Sequence, residues 1–175
     1  MTVPLPVESL GPIWHDDRDE RTPLGRLVEA AKDRDDDAAV ALVAAQVAEW
    51  AAGHAVERGS VVVGVPASPD RPNRLVPAVA RSLASAWGVV HDDAVVRHRA
   101  TVRLRELAPA ERPAMVAEAD YEVVGGIEGR PVVLVDDVVL SGTTLGHVAD
   151  LLVAAGASSV RLVAVARARR GVSSA

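Results

Sequence analysis

Two hydrophobic periods alternate along the chain. Thr22-Pro23 reads as an N-cap with proline at the first helical position, and Leu24, Leu27, Val28 and Ala31 then recur on one helical face. The acidic run Asp33–Asp37 reads as a break and a new N-cap, so a second helix runs from about Ala38 to Ala52 and stops at Gly53. Ser60–Val65 is an unbroken apolar run bounded by turn residues, the signature of a buried parallel strand, and it enters the stiff loop Pro66-Ala67-Ser68-Pro69. Asn73 can cap the following helix, which sets Leu75, Val76, Val79, Leu83 and Trp87 on one face and ends at Gly88. Residues 94–99 read as a further strand and Val132–Val135 as a second buried one. Leu145, Val148, Leu151 and Leu152 give a helix closed by Gly156, and Val160–Ala166 a last strand.

Two stretches carry no period. Residues 1–21, with Pro4, Pro6, Gly11 and Pro12, read as irregular. Residues 100–130, with Pro109, Pro113, Gly125, Gly126 and Gly129, read as a long loop-like, mobile insertion. The alternation predicts one α/β domain over 1–175, built on a doubly wound, mostly parallel sheet, with a helical part over 1–53 and a core over 60–167.

Composition narrows the chemistry. The chain has 175 residues, 49% hydrophobic and 25% charged, which fits a folded protein with a real core. No apolar run is long enough to span a bilayer, and the opening MTVPLPVESL has neither a charged nor an apolar leader region; no membrane partner and a cytoplasmic location are expected. With no cysteine there is no disulfide, thiolate metal site or cysteine nucleophile. The net charge of −5 gives no global support to binding nucleic acid, so that partner is not expected. Lys32 is the one lysine among nineteen basic residues, a scarcity that counts against mechanisms needing an active-site lysine. His15, His54, His91, His98 and His147 are scattered without metal-ligand spacing.

In a doubly wound sheet, ligands bind beyond the carboxyl ends of the strands. The most distinctive such end is Val132-Val133-Leu134-Val135-Asp136-Asp137-Val138-Val139-Leu140-Ser141-Gly142-Thr143-Thr144, followed by a helix. Two adjacent carboxylates at the mouth of a buried strand need hydroxyl donors, a cation or water. A Ser-Gly-Thr-Thr turn opening a helix offers N–H groups, hydroxyls and the positive dipole end to a phosphate. Together they suit a ligand with a sugar diol and a terminal phosphate. A P-loop would need a lysine that this turn lacks. A phosphoacceptor receiver would need about a further hundred residues after the acid pair, where only 38 follow.

The segment Val132–Thr144 resembles the phosphoribosyl pyrophosphate (PRPP) signature of type I phosphoribosyltransferases. The resemblance extends over most of the chain and is closest to the ComF-like branch. Pro12–Lys32 is similar to its opening segment, Val63–Pro69 to its pyrophosphate loop, and Val160–Arg167 to its last strand. Asn73 stands where its Arg-Gly-Phe-Asn-Gln stretch keeps an asparagine, and Thr101, Leu107, Glu111 and Arg112 fall on its variable loop. Four departures stand out. The four-cysteine zinc element is missing, Asp70-Arg71-Pro72-Asn73-Arg74 replaces most of the Arg-Gly-Phe-Asn-Gln stretch, and Leu104 and Met115 stand where Gln and Asn are usual. Leu140 replaces a threonine, at a position where purine enzymes of the family carry an aspartate acting on the base proton.

The resemblance implies a Mg²⁺-dependent transferase that moves the phosphoribosyl group of PRPP to a small nucleobase or amine, releasing pyrophosphate. Asp136 and Asp137 would be the catalytic pair, holding the ribose hydroxyls and the metal; Ser141, Gly142, Thr143 and Thr144 would wrap the 5-phosphate. Ala67 and Ser68 would bind pyrophosphate through the loop, with Arg74 and Arg99 as further candidates. Residues 97–112 carry five arginines against two glutamates and fit a lid. Trp14 and Tyr121 are candidates for stacking on an acceptor, whereas Trp50 and Trp87 lie on apolar helical faces and belong to the core. The resemblance allows a homodimer. Two alternatives stand beside this reading: a PRPP- or nucleotide-sensing regulator without turnover, motivated by Leu104, Met115 and the altered Arg71–Arg74 stretch, and a ComF-like accessory role in DNA uptake.

Overall fold

A computed structural model describes residues 6–15, 20–103 and 106–168. Its centre is a five-stranded sheet in the order β1 (Val7–Pro12), β7 (Ser159–Arg167), β6 (Pro131–Val139), β2 (Val61–Gly64), β3 (Val90–His91). Every neighbouring pair in it is parallel. β6 is the axis: Val132–Val135 pair with Val61–Gly64 on one side and with Val160–Val163 on the other. A separate antiparallel ribbon pairs β4 (Val95–Arg97) with β5 (Tyr121–Val123).

Period-two alternation divides the core into two layers. Val62, Val133, Val135, Val163 and Val165 face α1 (Pro23–Asp33), α2 (Asp37–Ala52) and α3 (Leu75–Trp87). Val61, Val63, Val132, Leu134 and Leu162 face α5 (Thr143–Ala154) and the ribbon. Helices on both faces of a parallel sheet are the doubly wound arrangement that the alternating pattern predicts.

The helix boundaries follow their capping chemistry. Thr22 Oγ1 accepts from the Gly25 amide at 2.9 Å and donates to the Pro12 carbonyl at 2.7 Å, which fixes the start of α1 against the end of β1. Asp36 caps α2 through the amides of Ala38 and Ala39. Gly88 closes α3 at φ +64°. Gly25 lets α1 close onto the strand: a Cβ there would lie 2.2 Å from the Ile13 carbonyl oxygen.

Three expectations are corrected. Residues 7–12, read as irregular, form the edge strand β1, because Glu8 is tied to Arg161 of β7 at 2.7 and 2.8 Å and the strand borrows its order from β7. The period-free stretch 100–130 holds a seven-residue helix, α4 (Arg112–Glu118), and β5, both too short to show a period. The strand expected at 94–99 lies in the ribbon, outside the main sheet. Trp50 and Trp87, expected in the core, are half-buried and pack against it, edge to face at 6.2 Å between ring centroids.

Candidate active site

The chain leaves β2 for the β3 edge and leaves β6 for the β7 side, so the order reverses between these two neighbours. Such a switch point opens a crevice at the strands' carboxyl ends. A cleft of about 550 Å³ lies there, walled by α1, the 66–73 loop, the 97–103 segment and the 136–144 segment. It gathers Asp136, Asp137 and Ser141–Thr144 with Ala67 and Ser68, residues far apart in the sequence.

The acid pair is asymmetric. Alternation along β6 sends Asp137 to the side of α1 and α3, where it is only 4% exposed. Lys32 Nζ, in the last turn of α1, sits 2.8 Å from each of its carboxylate oxygens, and Asn73 Nδ2 donates to Oδ2 at 2.6 Å. Asn73 Oδ1 in turn accepts from the Leu75 amide at 2.8 Å, so this one side chain caps α3 and holds the acid. Asp136 faces the other way. Its Oδ1 accepts from the Asp137 amide at 2.8 Å, and its Oδ2 takes no hydrogen bond among the described residues. Burial, then the neighbouring Asp137 charge, push the Asp136 carboxyl up to about 7, against the opposing pull of Lys32. Desolvation works to lower the Lys32 ammonium, but Asp137, with Asp136 and Asp33 behind it, outweighs that and raises it.

The Ser141–Thr144 turn is built on Gly142, which enters α5 at φ +76°. A Cβ there would meet only ordinary contacts, Val139 at 3.9 Å and Val7 at 4.0 Å; the left-handed backbone, not lack of room, requires glycine. Ser141 and Thr143 hydroxyls lie 2.8 Å apart across the turn. Gly142 itself provides no side-chain cap for α5, and the Thr143 amide meets only Ser141 Oγ, at a long 3.5 Å.

Arginines crowd the opposite wall. Arg71 Nη2 donates to the Thr101 carbonyl, and Arg97 donates to Thr101 Oγ1 at 2.6 Å while lying over the Tyr121 ring at 5.6 Å. Burial first, then Asp136, raise the Tyr121 phenol, with Arg97 opposing. Arg103 approaches Asp33 at 4.0 Å, which ties the 97–103 segment to the end of α1. Trp14 also lines the cleft, with the Arg21 guanidinium 4.7 Å over its ring and Glu29 2.8 Å from Arg21.

Two expected residues are not brought in. Arg74 is 53% exposed and pairs with Asp35 and Asp37, and Arg99 is 71% exposed beside Asp120; neither lines the cleft. Leu104 lies outside the described residues. Lys32 is the residue that sequence reasoning missed. Its signal was its singularity, one lysine kept at the end of α1 in a chain otherwise arginine throughout.

The profile of the family described as the phosphoribosyl transferase domain matches residues 56–174, more than half of the chain. The chain belongs to that family. Solved structures to which the chain is similar include that of the allosteric regulatory enzyme of purine biosynthesis, 25% identical over 70% of this chain and 25% of that one, with a TM-score of 0.49. Glutamine PRPP amidotransferase from B. subtilis, complexed with ADP and GMP, is 26% identical over 69% of this chain and 25% of that one, with a TM-score of 0.48. A hypoxanthine phosphoribosyltransferase from Staphylococcus aureus is 14% identical over 81% of this chain and 62% of that one, with a TM-score of 0.37. The phosphoribosyl transferase domain chain thus spans about a quarter of the length of the first two proteins. No curated protein matches it.

Proposed function

We propose that the protein is a Mg²⁺-dependent phosphoribosyltransferase that transfers the phosphoribosyl group of PRPP to a small nitrogen nucleophile, a nucleobase or an amine, with release of pyrophosphate. The observation that carries this reading is the convergence of an acid pair, a helix-opening Ser-Gly-Thr-Thr turn and an arginine-lined wall in one cleft at the switch point of the sheet. The three parts match the ribose diol, the 5-phosphate and the pyrophosphate of PRPP in turn.

In this reading the amides and hydroxyls of Ser141–Thr144 hold the 5-phosphate at the positive end of α5. Asp136, the open member of the acid pair, faces the ribose, and the loop at Ala67 and Ser68 presents main-chain N–H groups to the pyrophosphate. Arg71 and Arg97 stand nearer to that anion than Arg74 or Arg99, because the first two line the cleft. The residues fit a magnesium ion: two carboxylates meet one lysine, and Asp136 Oδ2 is left open, its carboxyl raised by burial first and by the Asp137 charge second. No group of three or more acidic or histidine ligands occurs among the described residues, which suits a cation that keeps waters and takes substrate oxygens. An ion held there would supply charge neutralisation to the pyrophosphate leaving group. Asp136 then orients the ribose while the anomeric carbon passes through an oxocarbenium-like state.

The acceptor enters from the side of Trp14, Arg21 and Glu29, and Leu140, which also lines the cleft, offers no carboxylate to a base proton. Within the family, the ComF-like branch is the proposed placement, with residues 1–53 as the hood over a PRPP core at 60–167. No helix among the described residues is long and apolar enough to cross a membrane, and a cytoplasmic site of action is proposed with the rest. The test is calorimetric titration of PRPP with and without Mg²⁺, with pyrophosphate release followed against bases and amines. Binding with acceptor-dependent release supports the transferase. Binding without release supports a PRPP sensor, and no binding removes both.

A further inference from the structure

We propose that Lys32 is a positioning residue which, with Asn73, locks Asp137 away from the ligand, so that Asp136 alone of the acid pair meets ribose and metal. This rests on the PRPP reading above and divides the labour within it. Both oxygens of Asp137 are already engaged: Lys32 Nζ lies 2.8 Å from each, and Asn73 Nδ2 adds a bond at 2.6 Å to Oδ2. The Asp137 side chain is 6% exposed, and these three bonds fill most of the roughly four acceptor sites of a carboxylate, which leaves little of it to a ligand oxygen.

The partners come from separate elements, α1 and the residue before α3, and each is fixed by its own structure. Asn73 is held by the Leu75 amide at 2.8 Å. Lys32 sits in the last turn of a helix anchored at its start by Thr22 and at its glycine by Ile13. Asp137 in turn donates its own amide to Asp136 Oδ1 at 2.8 Å. The clamp therefore sets the backbone that aims Asp136. A buried carboxylate held by one ammonium and one amide keeps its place; without the ammonium it is an uncompensated buried charge and must move or take a proton. Lys32 thus orients the open acid through its neighbour, as outer partners orient the ligands of a metal site.

The experiment is a double-mutant cycle on PRPP binding in the presence of Mg²⁺, using the wild type, Lys32→Met, Asp137→Asn and the double variant. Each single change is expected to weaken PRPP binding about tenfold or more, and the double variant to be no weaker than the worse single within about threefold. A further tenfold loss on adding Asp137→Asn to Lys32→Met means that Asp137 touches the ligand itself and overturns the proposal. A second measurement does not depend on the variants folding. Lys32 is the only lysine, so its ¹⁵N ammonium resonance in the wild type is a single assignable signal. A protected signal that persists when PRPP and Mg²⁺ are added is expected; its loss on PRPP binding shows that Asp137 has left the clamp and overturns the proposal. Should the wild type bind no PRPP, the functional reading fails instead. The clamp is then judged in the ligand-free protein, where the absence of a protected ammonium signal overturns it.

Discussion

At the residue scale, Asp136 makes the sharpest prediction because its carboxyl is raised from 3.8 to about 7. The folded protein therefore binds a proton at this site between those values while the unfolded chain does not. Stability from this group is full below about pH 4 and is lost as pH rises through about 7. Denaturant unfolding of the wild type and Asp136→Asn from pH 5 to 8 is expected to show the variant gaining relative stability as pH rises. The same proton must leave when a cation or ligand takes the carboxylate, so on the proposed function PRPP binding with Mg²⁺ is expected to strengthen through pH 7 and to release a proton. Calorimetry in buffers of different ionisation enthalpy reads that release directly. Gly142→Ala places a Cβ on a residue at φ +76°. A loss of about 1–2 kcal/mol in denaturant unfolding is expected, with weaker binding of inorganic phosphate, since the turn itself must relax.

At the element scale, α1 carries the cleft's wall and its lysine, so the way it is seated matters to the site. Thr22→Ala removes a buried hydroxyl that caps α1 and bonds the Pro12 carbonyl. Unfolding free energy is expected to fall by about 1–2 kcal/mol, by the cost of a lost cap. The 97–103 segment offers a contrast between neighbours. Arg97 lines the cleft over Tyr121, whereas Arg99 lies outside it against Asp120. Arg97→Gln is therefore expected to weaken pyrophosphate binding more than Arg99→Gln, compared by competition titration. Equal losses would place the pyrophosphate elsewhere. Element boundaries followed local chemistry closely where a cap marks them, at Thr22, Asp36 and Gly88. They were illegible where a strand draws its order from a distant partner, as β1 does from β7.

At the scale of the whole molecule, a site assembled from α1, two strand ends and the 97–103 segment couples ligand binding to global stability. A ligand at a hundred times its dissociation constant adds about 2.7 kcal/mol to the folded state. PRPP with Mg²⁺ is thus expected to raise the melting temperature, and PRPP alone to raise it less; no shift with either would count against the cleft as the PRPP site. The sequence by itself determined the alternating α/β plan, the buried strands around Val62 and Val133, the helix caps, and the acid pair followed by a Ser-Gly-Thr-Thr turn. These are legible because periodicity, capping and turn chemistry act over a few residues, within reach of a local reading. Only the tertiary structure decided that β1 joins the sheet, that Arg74 and Arg99 stand outside the cleft, and that Lys32 meets Asp137 across 105 positions of chain. Those facts depend on which distant surfaces pack together. A lone lysine at the end of a helix carries no local mark of the carboxylate it will meet.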